Sequence, residues 1–368
     1  MDRDAAINVA LKLATLVGAI VSVELGGRLF GLVVVYGLAG VLTLALAIVI
    51  YRKLQLPRLR ATMATSRELL RDGAPLLAMS LAVAVEPYFN ANILYKLASS
   101  AVVGWYGAAW NIAGTLIAPA TILGATMYPR LSTAASDAAE FKQVFGESFR
   151  PLLLVAVLGA VGTYLFADVA IALIYSRQKF APAADTLRAF TPVLLLMYVD
   201  VFFATGILAA GRAGRLAGAK IASVVLTTGL VVVLVPLCQS RFANGGLGVM
   251  YAMATGEFLM LVAAVVFIRE AVDAHLIGDV LRSLLAGAAT VLVIQLMPPM
   301  TPFLAIPFCV LAFAALSLLV GAVTRADVEL LSSSFRKRTA SSSPAVGIPS
   351  AGTPDVSAVV DSSSDPAR

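Results

Sequence analysis

An all-α polytopic membrane protein is the fold class this sequence predicts, and three observations predict it. The 368-residue chain is 60% hydrophobic and 13% charged, with a mean hydropathy of +0.92. A soluble domain of this length carries about 25% charged and about 45–50% apolar residues. The apolar residues gather into ten stretches, most of them near the ~20 residues a helix needs to cross the hydrocarbon core. The basic residues of the connecting loops then alternate in density from one side to the other, as they do in membrane-spanning chains.

The ten stretches are 5–25, 30–51, 74–94, 103–127, 151–175, 190–210, 217–237, 247–268, 281–297 and 302–323. Lys12 makes the first the least regular, and the ninth closes at Pro298-Pro299. Gly, Ala, Ser and Thr recur through most of them, as close helix packing in lipid requires. Trp105, Tyr106 and Trp110 open the fourth stretch, where an interfacial aromatic belt is expected. Pro119 interrupts the fourth and Pro192 begins the sixth.

Orientation follows from the loops. Arg52, Lys53, Arg58, Arg60, Arg67, Arg71, Arg130, Lys142, Arg150, Arg212, Arg215, Lys220, Arg269 and Arg282 fall on one side with the cluster Arg336-Lys337-Arg338. The other side holds only Arg28, Lys96, Arg177, Lys179, Arg188 and Arg241. The denser side is the cytoplasmic one, so both termini lie in the cytoplasm. The net charge of +6 therefore reflects membrane orientation, and no nucleic-acid partner is expected. The N-terminus lacks the basic start of a signal peptide. From Ser332 onward the chain is rich in Ser, Pro and Gly and reads as a disordered cytoplasmic tail.

Polar groups inside the apolar stretches mark the candidate site. A carboxylate at the centre of a spanning helix costs at least ~2.5 kcal/mol, so it calls for a reason. Glu86 lies about 15 Å from the outer end of its helix, and Asn111 about 12 Å into the returning one. Asp200 and Glu257, each roughly ten residues into its stretch, fall about 15 Å deep. Three carboxylates near one depth predict a shared polar interior that binds a proton or Na+; the alternative is that each pairs with a neighbouring helix and only locks packing. Asn90 shares the face of Glu86, and Pro87 removes a backbone bond beside the acid, so it is the candidate hinge.

Enzymatic chemistry finds little support. The single histidine, His275, sits between Asp273 and Asp279 in a cytoplasmic loop, and no phosphate-cradling glycine loop is present. Cys238 and Cys309 have neither metal-ligand spacing nor a disulfide framework. No cofactor or metal is expected.

A repeat is also visible. One register lays Gly31 on Gly248, Ala47 on Ala264, Val49 on Val266 and Arg52 on Arg269. It pairs the first two helices with the seventh and eighth, and implies that four helices are missing before the first.

Three segments then resemble a known group. They are the basic run 52–71 leading into Gly73-Ala74-Pro75-Leu76-Leu77, the helix start Val103-Gly104-Trp105-Tyr106-Gly107-Ala108-Ala109, and the helix exit Met127-Tyr128-Pro129-Arg130-Leu131-Ser132. Together they resemble the oligosaccharide (polysaccharide-repeat) flippases of the multidrug/oligosaccharidyl-lipid/polysaccharide exporter superfamily, over residues 5–324. The resemblance implies a two-lobed, alternating-access bundle with an incomplete first lobe, in a bacterial inner membrane. It implies movement of an undecaprenyl-pyrophosphate-linked repeat to the outer leaflet, alongside membrane lipids and with polysaccharide polymerase and export machinery as partners. On it, 1–54 end the first lobe, 55–72 form a basic linker, 73–270 make the second lobe, 271–324 add a helix pair and 325–368 are tail.

Glu86, Asp200 and Glu257 would then couple or gate transport, while Lys12, Asn90 and Asn111 would touch substrate. Buried basic residues for a pyrophosphate are few: Lys12 is the best candidate, with Lys96 and Lys220 at helix ends. Two rivals remain, a cation-coupled multidrug exporter of the same superfamily and a non-transporting scaffold of a polysaccharide assembly complex.

Overall fold

The computed structural model describes residues 2–53, 63–298 and 300–323. The proposed tail, 325–368, and part of the basic linker lie outside them. Among the described residues the chain is helical throughout, in ten α-helices and one 3-10 turn. It divides into two compact units, Met1–Asp72 and Gly73–Arg368.

The first unit contains the hairpin of α1 (Asp2–Glu24) and α2 (Arg28–Lys53). Gly26 takes φ +76 at the turn, a left-handed conformation that favours glycine. The boundary between units falls within α3 (Met63–Leu97). The second unit continues through α4 (Ser100–Ala134), α5 (Ala138–Ile174), α6 (Arg177–Ala209), α7 (Ala213–Phe242) and α8 (Gly246–Phe267). The 3-10 turn Arg269–Ala271 leads to α9 (Ala274–Leu296) and α10 (Pro302–Leu319).

Eight of these helices, from α3 onward, are long and apolar enough to cross a membrane. In the first unit, α2 carries a described apolar stretch over Phe30–Leu46. Large apolar side chains such as Leu81, Val232, Val233 and Leu285 stay exposed around the second unit, as lipid-facing surfaces require.

Several helices run past their expected ends. Helix α6 begins at Arg177, so Pro192 lies inside it and does not start it. Helix α5 begins at Ala138, where Asp137 accepts hydrogen bonds from the Ala139 and Glu140 amides at 2.8 and 3.4 Å. That cap satisfies two of the free N–H groups at a helix start. The added turns of α5 bury Phe141, Val144, Phe145 and Phe149 at helical spacing. Phe145 meets Phe202 and Phe203 of α6 with ring centroids 4.7 and 5.2 Å apart. Helix α5 also departs from helical geometry at Phe166, where no proline stands.

The aromatic start of α4 packs inward and does not form a belt. Tyr106 is buried and stacks on Trp110, which meets Phe190 of α6 edge-on. Trp105 donates from Nε1 to the Lys179 carbonyl at 2.8 Å.

Small residues bring α7 and α8 together. A Cβ built on Gly248 would stand 2.5 Å from the Leu234 carbonyl oxygen and 2.7 Å from the Val235 nitrogen. Backbone cannot yield as a flexible side chain can, so Gly248→Ala is expected to destabilise the protein by about 1–3 kcal/mol. Thermal unfolding in detergent checks this, with Gly229→Ala as the control, because no atom lies within 4 Å of a Cβ there.

Helix α9 is tied to the start of α5. Arg150 reaches both carboxylate oxygens of Asp279, at 3.0 and 3.2 Å from one guanidinium nitrogen. Asp273 caps α9 through the Leu276 amide at 2.9 Å and pairs with Lys142 at 3.2 Å. That amide and then the Lys142 ammonium hold the Asp273 carboxyl below its ordinary range. The pairing therefore persists at neutral pH and is lost only as acid protonates it.

Candidate functional site

The polar centre of the second unit lies where α6, α7 and α8 meet. Asp200 is nine residues from the end of α6, Lys220 seven residues past the start of α7, and Glu257 ten residues from the end of α8. At ~1.5 Å per residue all three fall about 10–15 Å from the helix ends at the α6–α7 and α8–α9 connections.

Lys220 Nζ stands 2.9 Å from Asp200 Oδ2 and 2.9 Å from Glu257 Oε1. All three side chains are nearly shut off from solvent, at 12%, 10% and 7% exposure. The close α7–α8 approach makes this possible. A Cβ on Gly256 would collide with Thr227 Oγ1, and Ser223 Oγ donates to the Gly256 carbonyl at 2.8 Å. Ser223 and Thr227 lie three and seven residues beyond Lys220, on one α7 face.

Glu86, on α3, is half-buried and lies within electrostatic reach of Lys220, Glu257 and Tyr106. It has no hydrogen-bond or ion-pair partner among the described residues. The second oxygens of Asp200 and Glu257, both side-chain atoms of Asn90 and the Tyr106 hydroxyl are also buried without a partner. Buried polar groups are ordinarily satisfied, so this concentration marks a polar interior. It holds three carboxylates to one ammonium. No cluster of metal-ligating side chains occurs among the described residues.

The structure thus brings Asp200 and Glu257 together and leaves Glu86 close by. Asn90 is fully buried on the face of Glu86, and Pro87 is half-buried within a continuous α3. Asn111 is exposed, with only a 3.5 Å contact from its Nδ2 to the Tyr175 hydroxyl. Lys12 lies on α1 of the first unit, where its side chain is exposed within that unit. The sequence reading placed Lys220 at a helix end and missed it as the centre of the network. The small-residue ladder Ser223, Thr227 and Gly256 was the one available signal, since it marks where α7 and α8 touch.

Helices of this length around a buried charged interior define a polytopic, all-helical membrane-type fold. The family model for "Polysaccharide biosynthesis protein" matches residues 4–135. Among solved structures the chain is similar to "Lipid II flippase MurJ, inward closed conformation", with a TM-score of 0.66 and 12% identity over 86% of this chain and 66% of that one. The chain thus spans just under two thirds of MurJ. No curated protein matches it. The fold is similar to that of MurJ, and the family model over residues 4–135 agrees with the resemblance to polysaccharide-repeat flippases.

Proposed function

We propose that this chain works as a lipid-linked saccharide flippase. It moves undecaprenyl-pyrophosphate-linked repeats from the inner to the outer leaflet of a bacterial inner membrane by alternating access, for exopolysaccharide or O-antigen assembly. The observation that carries this reading is the Lys220 ammonium held between Asp200 and Glu257, with Glu86 in reach. A buried ion network contributes little net stability, and ionisable groups inside a membrane ordinarily serve a pathway. The similarity to MurJ and the polysaccharide-biosynthesis family model support the choice of cargo class.

In this mechanism Glu86, Asp200 and Glu257 couple or gate the cycle. Neutralising one carboxylate, by a proton or a bound cation, shifts the ammonium toward another and changes how α6 and α8 are held. Pro87 gives α3 a bending point beside Glu86. Lys12, Asn90 and Asn111 touch the substrate, and polysaccharide polymerase and export machinery take the product onward.

The acidic balance of the network also suits a cationic cargo, which favours the multidrug-exporter reading as second. A leaflet assay separates them. The protein is placed in liposomes with a fluorescent lipid-linked saccharide, and an outer-leaflet quencher reports its movement. Flipping several times faster than in protein-free liposomes is expected. Transport of a cationic dye without flipping would establish the exporter reading, and neither activity would leave the scaffold.

A further inference from the structure

We infer that the cytoplasmic ends of α7 and α8 form a binding site for the phosphate headgroup of an anionic membrane lipid. A cavity of about 320 Å³ there is lined by Arg212, Arg215, Val266, Phe267, Arg269 and Glu270. Three guanidinium groups converge on it and one carboxylate offsets them. Arg212 is occupied: it pairs with Glu270 at 2.5 Å and donates to the Phe267 carbonyl. Burial alone would raise the Glu270 carboxyl, but a backbone hydrogen bond, then the Arg212 guanidinium and the nearby Arg269 charge hold it below its ordinary range. Glu270 therefore stays charged and committed to Arg212 at neutral pH. The side chains of Arg215 and Arg269 have no ion-pair or hydrogen-bond partner among the described residues.

The contrast with the larger cavity of about 860 Å³ at the ends of α5 and α9 decides the matter. There each of Arg130, Lys142 and Arg150 faces its own carboxylate, in Glu147, Asp273 and Asp279. That cavity is balanced, whereas the smaller one sets three guanidinium groups against one carboxylate, with Arg215 and Arg269 in no ion pair or hydrogen bond among the described residues. Guanidinium forks match phosphate oxygens in pairs. The arginines stand on the side assigned to the cytoplasm, at the level where the spanning helices end, and Val266 and Phe267 border them with apolar surface. A phosphate with an acyl chain attached fits that pairing of charge above and hydrocarbon below; a free anion uses only half of it. Basic groups at this level attract anionic lipid by ~1 kcal/mol each.

The inference does not depend on the flippase reading, and its test measures lipid binding alone. Full-length protein in neutral detergent is titrated with dioctanoyl phosphatidylglycerol, and bound lipid is counted by native mass spectrometry. Dioctanoyl phosphatidylcholine and sodium phosphate are titrated in parallel. Arg215→Gln/Arg269→Gln is expected to weaken phosphatidylglycerol binding by about tenfold or more, with Arg215→Lys/Arg269→Lys, which keeps the charge and loses the fork, falling between it and the parent. Arg130→Gln/Arg282→Gln, which removes two charges from the same side away from the cavity, is expected to leave it unchanged. An equal loss in that control, equal binding of phosphatidylcholine, or equal occupancy by sodium phosphate would each overturn the site. The lysine variant also guards against misfolding: if it folds like the parent yet binds no better than the glutamine variant, the charge argument fails.

Discussion

Replacing Lys220 with methionine is expected to destabilise the protein by about 3–5 kcal/mol, because it strands two buried carboxylates without their cation. Methionine keeps most of the side-chain length and volume, so lost packing contributes little. Detergent-solubilised Lys220→Met should therefore show a lower thermal midpoint and lower membrane abundance than the parent. The effect is conditional on the acids. Adding Asp200→Asn and Glu257→Gln to Lys220→Met removes the uncompensated charge, and stability is expected to recover most of the way. The three positions lie within one hydrogen-bonded network, so strong non-additivity is the expected signature. A triple variant less stable than Lys220→Met alone would show that the network does not hold charge in the way described.

Glu86→Gln is expected to produce the opposite pattern, a large loss of transport with abundance close to the parent. Glu86 has no hydrogen-bond partner to lose among the described residues, and glutamine is nearly isosteric. What changes is the third negative charge within reach of Lys220 and Glu257. A group that must change charge during a cycle cannot be replaced by one that never ionises, and a tenfold or greater loss is the scale typical of removing a positioned proton-transfer group. The check is flipping rate divided by the amount of folded protein. A fall in abundance that accounts for the whole loss would assign Glu86 to packing.

The number and order of helices were legible in the hydropathy of the chain, because a bilayer demands long apolar runs. The ends of α5 and α6 were not, because those helices continue past the apolar run as amphipathic turns. The inward spacing of Phe141, Val144, Phe145 and Phe149 was visible at helical period, but a window tuned to spanning segments passes over it. The three acids stood out as charges in apolar surroundings. Lys220 did not, since its stretch appeared to start at residue 217 and a lysine near a loop reads as an orientation signal. Only the pairing of α6, α7 and α8 shows that it points between Asp200 and Glu257. Arg215 and Arg269 lie far apart in the chain, and only the fold brings them to one cavity.

The measurement that tests the central claim most directly is the specific flipping rate of the charge-neutral variant Lys220→Met/Asp200→Asn/Glu257→Gln, set against its folded abundance in the same liposomes. If the buried network is transport machinery, this variant folds to near parental levels and flips the lipid-linked saccharide at least about tenfold more slowly per folded molecule. Flipping at the parental rate per folded molecule would contradict the account, and would leave Lys220, Asp200 and Glu257 as a packing device.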